Sequence, residues 1–283
     1  MHRVCVVLVI AFGVSAFGPA ADAAPAKKAH APTMAAASLA KLKSDDPAEI
    51  RGGLDDARLL GPGAGAAAAV PLIAALLRSG LPYPLTETAL DTLADIESPE
   101  GTAPVVPYAK HRDVKVRRAA VRALTRAVGK DAVPVAATAL RAALSDPDAQ
   151  VRATAATGLG SLKAKVAVLD LFLALDRHVY EAAVSIGQLC DVSECDALVG
   201  RLGKIPFDVV TTGLDQILFR PSTEVSDDVK VSIIDRVRDL GTRDANKFLR
   251  GILGRWGKTS SAKVRGELDA AVLATMSSPG SDQ

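Results

Sequence analysis

The cysteines and histidines offer this chain its widest scope for chemistry, and both are few: 3 Cys and 4 His among 283 residues. Cys190 and Cys195 stand in QLCDVSECDAL, a spacing that is neither the CxxC of thioredoxin-type motifs nor a zinc signature. A zinc site here would need His178 and a neighbouring acid. A disulfide between the two cysteines is favoured if the protein is exported, because that compartment is oxidising. Two free buried thiols are the second interpretation, and metal or redox chemistry is the third.

Signals for catalysis are sparse. His111 and His178 stand near no serine or cysteine in a recognisable nucleophile motif. The GPGAG segment at 61–65 resembles a phosphate-binding loop but lacks the following Gly-Lys-Ser/Thr and a preceding strand, so an inter-helix turn explains it better. We therefore expect no catalytic residue, no cofactor and no metal.

A cluster of basic residues lies in KHRDVKVRRAAVRALTRAVGK, residues 110–130. On a helix, four of its side chains fall three or four residues apart on one side: Lys115, Arg118, Arg122 and Arg126. Arginine forks in such a row suit carboxylates and phosphates, which predicts a binding patch for an acidic protein segment or polymer. The alternative is a solvated helix face. We name these four residues the arginine row.

A second candidate surface lies at residues 205–221, IPFDVVTTGLDQILFRP. It carries two of the 6 phenylalanines, Phe207 and Phe219, and places Thr212 and Gln216 at positions expected to face a groove. The aromatic residues are either a binding hot spot or the core of a divergent repeat. Trp256, the single tryptophan, has the same two interpretations.

The elements that would carry these residues are repeated. Residues 113–128 and 148–163 follow one pattern, in which an acidic turn precedes an alanine-rich helix that opens with Val-Arg, 35 residues apart. Apolar residues recur at offsets 0, +4, +7 and +8, as on one stripe of a helix. Further helices of this kind begin near residues 50, 85, 179 and 209, and less regularly near 231 and 264. A repeat of this period predicts a stacked helical array.

Helices of a second kind, with an early proline, alternate with the first. Pro71 and Pro134 stand where a helix loses least from a missing N–H, in its first turn. Composition agrees with an all-α fold, since hydrophobic residues make up 49% and aromatic residues only 4%. A formal net charge of +2 removes the whole-chain argument for nucleic acid or an anionic membrane.

The combination of LGPGAGAAAAVPLIAALL with SDPDAQVRATAATGLGSL closely resembles HEAT repeats, particularly the short variety associated with phycobilisome lyases, over residues 44–277. The resemblance implies an α-solenoid of stacked antiparallel hairpins, with the valine-arginine helices on the concave face. It also implies a ladder that joins turn aspartates to helix arginines of adjacent repeats. The matching residues are Arg51, Arg117, Arg152, Arg265, Asp45, Asp113 and Asp146. Thr86, Tyr180 and Val210 replace the arginine elsewhere, so the ladder should be interrupted there.

The N-terminus predicts export. A short positive start, an apolar run and Ala21-Asp22-Ala23 fit a cleavable signal peptide over residues 1–23. A flexible Ala/Pro/Lys leader at 24–37, the array at 38–277 and a disordered tail at 278–283 complete the predicted organisation, and no later segment is apolar over a bilayer-spanning length.

The function expected from these features is a periplasmic or secreted scaffold that binds a protein partner with an acidic segment and performs no catalysis. One alternative is an enzyme built on HEAT-like repeats, such as a lyase. The other is a purely structural spacer of the cell envelope.

Overall fold

The protein is described here by a computed structural model, which places residues 33–257 and 261–276. These residues form α-helices joined by short turns and three 3₁₀ segments, with a single β-bridge between Leu202 and Ile205. The helices are α1 (Ala36–Lys41), α2 (Pro47–Leu59), α3 (Val70–Ser79), α4 (Tyr83–Ile96), α5 (Pro99–Val105), α6 (Val114–Leu124), α7 (Ala132–Ala143), α8 (Ala149–Ser161), α9 (Val168–Asp176), α10 (Ala182–Leu189), α11 (Val192–Val199), α12 (Phe207–Phe219), α13 (Asp227–Arg238), α14 (Arg243–Arg255) and α15 (Ala262–Met276).

The helices stack as hairpins in two layers. Helices α2, α4, α6, α8, α10 and α12 pack against one another in chain order, and α3, α5 and α7 form the second layer behind them. Helices α13 and α14 both pack against α15 at the C-terminal end. The predicted all-α solenoid of antiparallel hairpins is confirmed. We call the outer surface of α2 to α12, continued by α14, the even-helix face.

Helix starts follow the acidic turns that the sequence shows. The side chains of Asp46, Asp113 and Asp148 cap α2, α6 and α8 by accepting hydrogen bonds from backbone N–H groups of the first turn. Such caps satisfy donors that have no partner within the helix. Pro71 and Pro134 lie in the first turns of α3 and α7, where no helical hydrogen bond is lost.

Small residues set the spacing of the even helices. A Cβ added at Gly187 of α10 would overlap the carbonyl oxygen of Gly213 on α12, and one added at Gly160 of α8 would overlap Ser185 of α10. The Ser185 hydroxyl donates to the carbonyl oxygen of Ala156, 2.8 Å away, so its buried polar group is satisfied. Neighbouring backbones therefore approach closely, as the alanine-rich, aromatic-poor composition predicts.

The predicted signal peptide, most of the leader and the C-terminal tail lie outside the described residues. All described residues belong to one compact unit. Within the described ranges, none of the helices combines the length and the apolar character needed to cross a bilayer.

Candidate binding cleft and charged seam

Ion pairs and polar contacts join successive even helices across their outer surface. Arg58 of α2 bonds Asp95 of α4 at 2.8 Å, and Asp91 of α4 accepts from Arg122 of α6 at 2.7 Å. Further along, Gln188 of α10 donates to Gln216 of α12 at 3.3 Å. We call this line of contacts the charged seam.

The arginine row is part of the charged seam. Three of its members are paired with acids of neighbouring repeats: Arg118 with Asp148 at 2.6 Å, Arg122 with Asp91 at 2.7 Å and Arg126 with Glu97 at 2.6 Å. Acidic side chains of the adjacent helices lie opposite the basic ones, so the charges compensate one another. Lys115 has no ion pair among the described residues.

Asp148 has the most perturbed carboxyl of the seam. It accepts two hydrogen bonds from Arg118 and one from the backbone N–H of Val151, at 3.1 Å, as the cap of α8. The Arg118 bond is the main cause, and these contacts lower the pKa of Asp148 from 3.8 to about 2. Asp148 therefore joins two repeats and caps a helix with the same carboxylate.

The ladder expected between repeats has a rung at Arg117. Its Nε and Nη2 donate to the two carboxylate oxygens of Asp146, at 2.8 and 3.0 Å, and the pair is nearly buried, with side chains 12% and 8% exposed. Its Nη1 donates to the backbone carbonyls of His111 and Arg112. This bidentate pair ties α6 to the turn before α8.

At other ladder positions the contacts change. Arg152 donates to the carbonyls of Asp146 and Pro147, and Arg265 donates to the carbonyl of Trp256. Asp113 caps α6, while Arg51 and Asp45 form no ion pair in the described part of the chain. Thr86, where the ladder was expected to be interrupted, bonds the carbonyls of the preceding turn. Among the ladder positions in the described part of the chain, only Arg117 and Asp146 form the expected pair.

Cys190 and Cys195 lie at disulfide distance, with Cα atoms 5.4 Å apart, and both are buried. Arg220, at the end of α12, donates to the carbonyl oxygen of Cys190 at 2.7 Å and so attaches this loop to the next repeat. Among the described residues, no group of three or more His, Cys, Asp or Glu side chains is placed to hold a metal ion.

A cleft of about 780 Å³ opens on the even-helix face, where α12 and α14 diverge. It contains Thr212 and Gln216, which were expected to face a groove, and Phe207. Of the remaining lining residues, five come from α14, three from α12 and one from α10: Asp244, Lys247, Phe248, Gly251, Arg255, Asp208, Thr211, Asp215 and Val184.

Two contacts bridge the cleft. Phe207 of α12 meets Phe248 of α14 edge to face, with ring centroids 6.3 Å apart. Asp215 of α12 pairs with Arg255 of α14, whose guanidinium also lies 4.8 Å from the ring centre of Phe219. The cleft thus contains an aromatic contact at Phe207 and an ion pair at Asp215, with the hydroxyl groups of Thr211 and Thr212 on the turn between them.

The residues on the α14 side of the cleft were not predicted from the sequence. Asp244, Lys247, Phe248, Gly251 and Arg255 follow helical spacing on one face of α14, and this pattern was the available signal. Nothing lies within 4 Å of a Cβ added at Gly251, so this glycine leaves its part of the cleft open.

The two interpretations of the aromatic residues, core and binding surface, apply to different residues. Trp256 is core: it is buried, and its Nε1 donates to the carbonyl oxygen of Ser261 at 3.2 Å. Phe219 is 42% exposed and packs on Trp256 at the outer surface, while Phe207 lines the cleft. Next to Trp256, burial lowers the pKa of Lys230, which donates to the carbonyl oxygen of Arg220.

Comparison with known families agrees with this geometry. Residues 114–162, which span α6, α7 and α8, match the family model described as HEAT-like repeat. The chain contains HEAT-like repeats. The matched segment holds the Arg117–Asp146 rung and the whole arginine row, and stacked helical hairpins continue on both sides of it.

Solved structures with similar helical stacks include three of different kinds. One is the complex of CpcE and CpcF of phycocyanin lyase from Nostoc sp. (TM-score 0.45, 18% identity, covering 91% of this chain and 100% of that chain). Others are an engineered protein (0.42, 20%, 85% and 98%) and human deoxyhypusine hydroxylase in complex with glycerol (0.36, 16%, 85% and 95%). Among proteins of curated function, no sequence matches this chain.

Proposed function

We propose that this protein is a non-catalytic scaffold that binds a protein partner on its even-helix face, with the cleft between α12 and α14 as the principal contact. The observation that carries the proposal is the cleft itself, about 780 Å³ in volume and lined by side chains of mixed chemistry. Such a volume lies in the range of specific binding pockets.

The cleft chemistry suits a polypeptide segment with one apolar anchor. Phe207 and Phe248 offer aromatic surface at one end, and aromatic residues that are partly exposed are common anchors at interfaces. Thr212 and Gln216 supply hydrogen-bonding groups along the α12 wall, and Lys247 and Asp244 supply both signs of charge along the α14 wall. An anchor side chain would pack against the two rings, while its flanking backbone bonds the polar walls.

An acidic segment of the partner is proposed to reach the arginine row. The row is already paired within the chain, so the segment would have to replace Asp91, Glu97 or Asp148 as the acceptor. Exposed ion pairs contribute only about 0–1 kcal/mol, which makes such an exchange inexpensive. Lys115 would add a cation that has no acidic partner within the described ranges. We therefore give the row second place to the cleft.

Export is part of the proposal. The signal-peptide pattern at residues 1–23 predicts a periplasmic or secreted protein. The Cys190–Cys195 pair at disulfide distance supports this, because stable disulfides form in oxidising compartments.

A blocked cleft provides the test. Gly251→Leu places a side chain into the open part of the cleft, and the matched control Gly254→Leu changes an exposed glycine one turn away on α14 that does not line the cleft. Tagged protein is used to capture partners from its native envelope, and each captured partner is then titrated against both variants. We expect Gly251→Leu to weaken binding while Gly254→Leu retains it.

A parallel variant separates the arginine row from the cleft. If an acidic segment docks on the arginine row, the double variant Arg118→Glu/Arg122→Glu should bind it more weakly, and the loss of affinity should depend on salt. The double variant should keep its helicity, since neither side chain is buried. If Gly251→Leu binds every captured partner with unchanged affinity, the cleft is not the site. If no partner is captured at all, the structural spacer becomes the better description.

A further inference from the structure

A second cavity, of about 720 Å³, lies away from the even-helix face. It opens between the 3₁₀ segment Val106–Lys110 and helix α7, and it ends at the turn before α8. We propose that this cavity binds an amphipathic carboxylate, that is, a small apolar body that carries one carboxylate group.

The floor and walls of the cavity are apolar and shallow. Val106, Ala139, Ala142 and Ala143 line it with short side chains, and Val135 stands at its edge with 43% of its surface exposed. Short side chains on two adjacent elements leave a trough where larger ones would fill the gap. Burial of an apolar ligand body here would remove both that body and exposed Val135 from water.

The charge of the lining is unbalanced. Its charged side chains are Lys110, Arg112 and Arg117 on the basic side and Asp146 alone on the acidic side. Both carboxylate oxygens of Asp146 are occupied by Arg117, and one also accepts from the backbone N–H of Asp148. The single acid is therefore neutralised, and the rim stays cationic. Charge complementarity selects an anionic head group.

Rim donors are available for that head group. Lys110 is exposed and has no ion pair among the residues that the structure describes. The Nδ1 of His111 accepts the backbone N–H of Asp113 at 3.0 Å, so in the neutral ring the proton is on Nε2, which remains a donor. Arg112 is held by its Nε bond to the Tyr83 hydroxyl, at 2.5 Å, which leaves both Nη groups able to donate.

Ring contacts hold the rim residues in place, which favours ligand binding. The His111 ring lies 5.3 Å from that of Tyr83 and 6.1 Å from that of Tyr108, and the Arg112 guanidinium lies 5.6 Å from the centre of the Tyr83 ring. A rim held in place in this way loses little freedom when a ligand binds.

Calorimetric titration with octanoate and octanamide tests the proposal. The two probes share an apolar body and differ in charge, and we expect octanoate to bind about fivefold more tightly, as one exposed ion pair allows. Lys110→Gln should remove most of that preference, whereas the control Lys130→Gln, at an exposed lysine outside the cavity, should not. A tripeptide with a C-terminal leucine, free and amidated, distinguishes a polypeptide terminus from a small acid as the source of the carboxylate.

A variant that fills the cavity tests whether octanoate binds at this site. Ala142→Phe fills the trough from an exposed helix position and should abolish binding, whereas Ala270→Phe, an exposed alanine of α15, should retain it. Far-UV circular dichroism verifies the fold of each variant. Gly251→Leu should leave octanoate binding unchanged, which separates this site from the cleft. Binding that ignores charge or survives Ala142→Phe would overturn the proposal, as would the failure of both octanoate and the free-carboxylate tripeptide to bind.

Discussion

At the scale of single residues, burial decides which charges hold the protein together. The Arg117–Asp146 pair has side chains only 12% and 8% exposed, while those of the Arg58–Asp95 pair are 44% and 32% exposed. Both link neighbouring repeats by arginine and aspartate. Solvent weakens the exposed pair, whereas the buried one keeps its strength and leaves a costly unpaired charge if one partner is removed.

Asp146→Ala should therefore lower the free energy of unfolding by about 2–3 kcal/mol, because it strands the Arg117 guanidinium and removes an acceptor for the N–H of Asp148. The matched change at the exposed pair, Asp95→Ala, should cost less than about 1 kcal/mol. Urea unfolding of the two variants beside the wild type measures both values. Equal losses of unfolding free energy would show that the buried pair stabilises the protein no more than the exposed one.

The acid side of the stability profile should depend on Asp148. Its folded-state pKa, about 2, lies below the ordinary 3.8, so its contribution is present above pH ~4 and is lost as the pH falls toward 2. Arg118→Gln removes the main cause of the pKa shift, so the free energy of unfolding should fall less steeply with decreasing pH. Arg122→Gln should not change this pH dependence, because Arg122 pairs with Asp91 rather than with Asp148. Urea titrations between pH 2 and 5 give the slopes, and identical slopes for all three proteins would contradict the assignment.

At the scale of helices, glycine acts in opposite ways along the array. Gly213 lies where α12 meets α10, and an added Cβ would overlap the carbonyl oxygen of Ala183. Gly251 faces the open cleft, and an added Cβ would meet nothing within 4 Å. The first glycine permits close packing of two helices, whereas the second lies where two helices have separated.

Gly213→Ala should consequently destabilise the protein by about 1–3 kcal/mol, since backbone must shift to admit the methyl group. Gly251→Ala should stabilise it by about 0.5–1 kcal/mol, because alanine restricts the unfolded chain and favours the helix. Thermal unfolding followed by circular dichroism compares the two. A stabilised Gly213→Ala would show that α10 and α12 are less closely packed than described.

At the scale of the whole molecule, one continuous hydrophobic cluster runs from Met34 to Val272. In an array each hairpin contacts mainly its neighbours, so a surface of many repeats stays open to a partner. The cleft lies on this surface between α12 and α14, and the charged seam links the even helices beside it. The proposed binding site and the contacts between repeats therefore share the same face.

The proposed export gives a prediction for the N-terminus and the two remaining cysteines. Protein recovered from its native compartment should begin at or near Ala24 and should therefore lack Cys5, which leaves two cysteines joined to each other. Intact-mass measurement with thiol labelling, before and after reduction, reads both events at once. We expect no label without reductant and two labels after it. A mass that includes Met1, or two labels without reductant, would refute export or the disulfide respectively.

Several features of the molecule were predictable from the sequence because they depend on contacts close along the chain. The stripe of Val116, Ala120 and Leu124 predicted a buried helix face, and all three are buried. Acidic turns predicted the caps of α2, α6 and α8, since a cap joins residues two or three apart. Thr212 and Gln216 were expected to face a groove because they lie one turn apart on the same side of α12, and both line the cleft.

Tertiary structure decided the rest, because it depends on how separate helices are placed. Arg122 and Asp91 are 31 residues apart, and only the packing of α4 against α6 makes them a pair. The α14 wall of the cleft, including Phe248, entered the site only because α12 and α14 diverge. Helix separation depends on glycine contacts and on the path of each connecting turn, neither of which periodicity reports. The sequence by itself determined the helices and their repeat, and their packing determined which charges are neutralised and where a partner can enter.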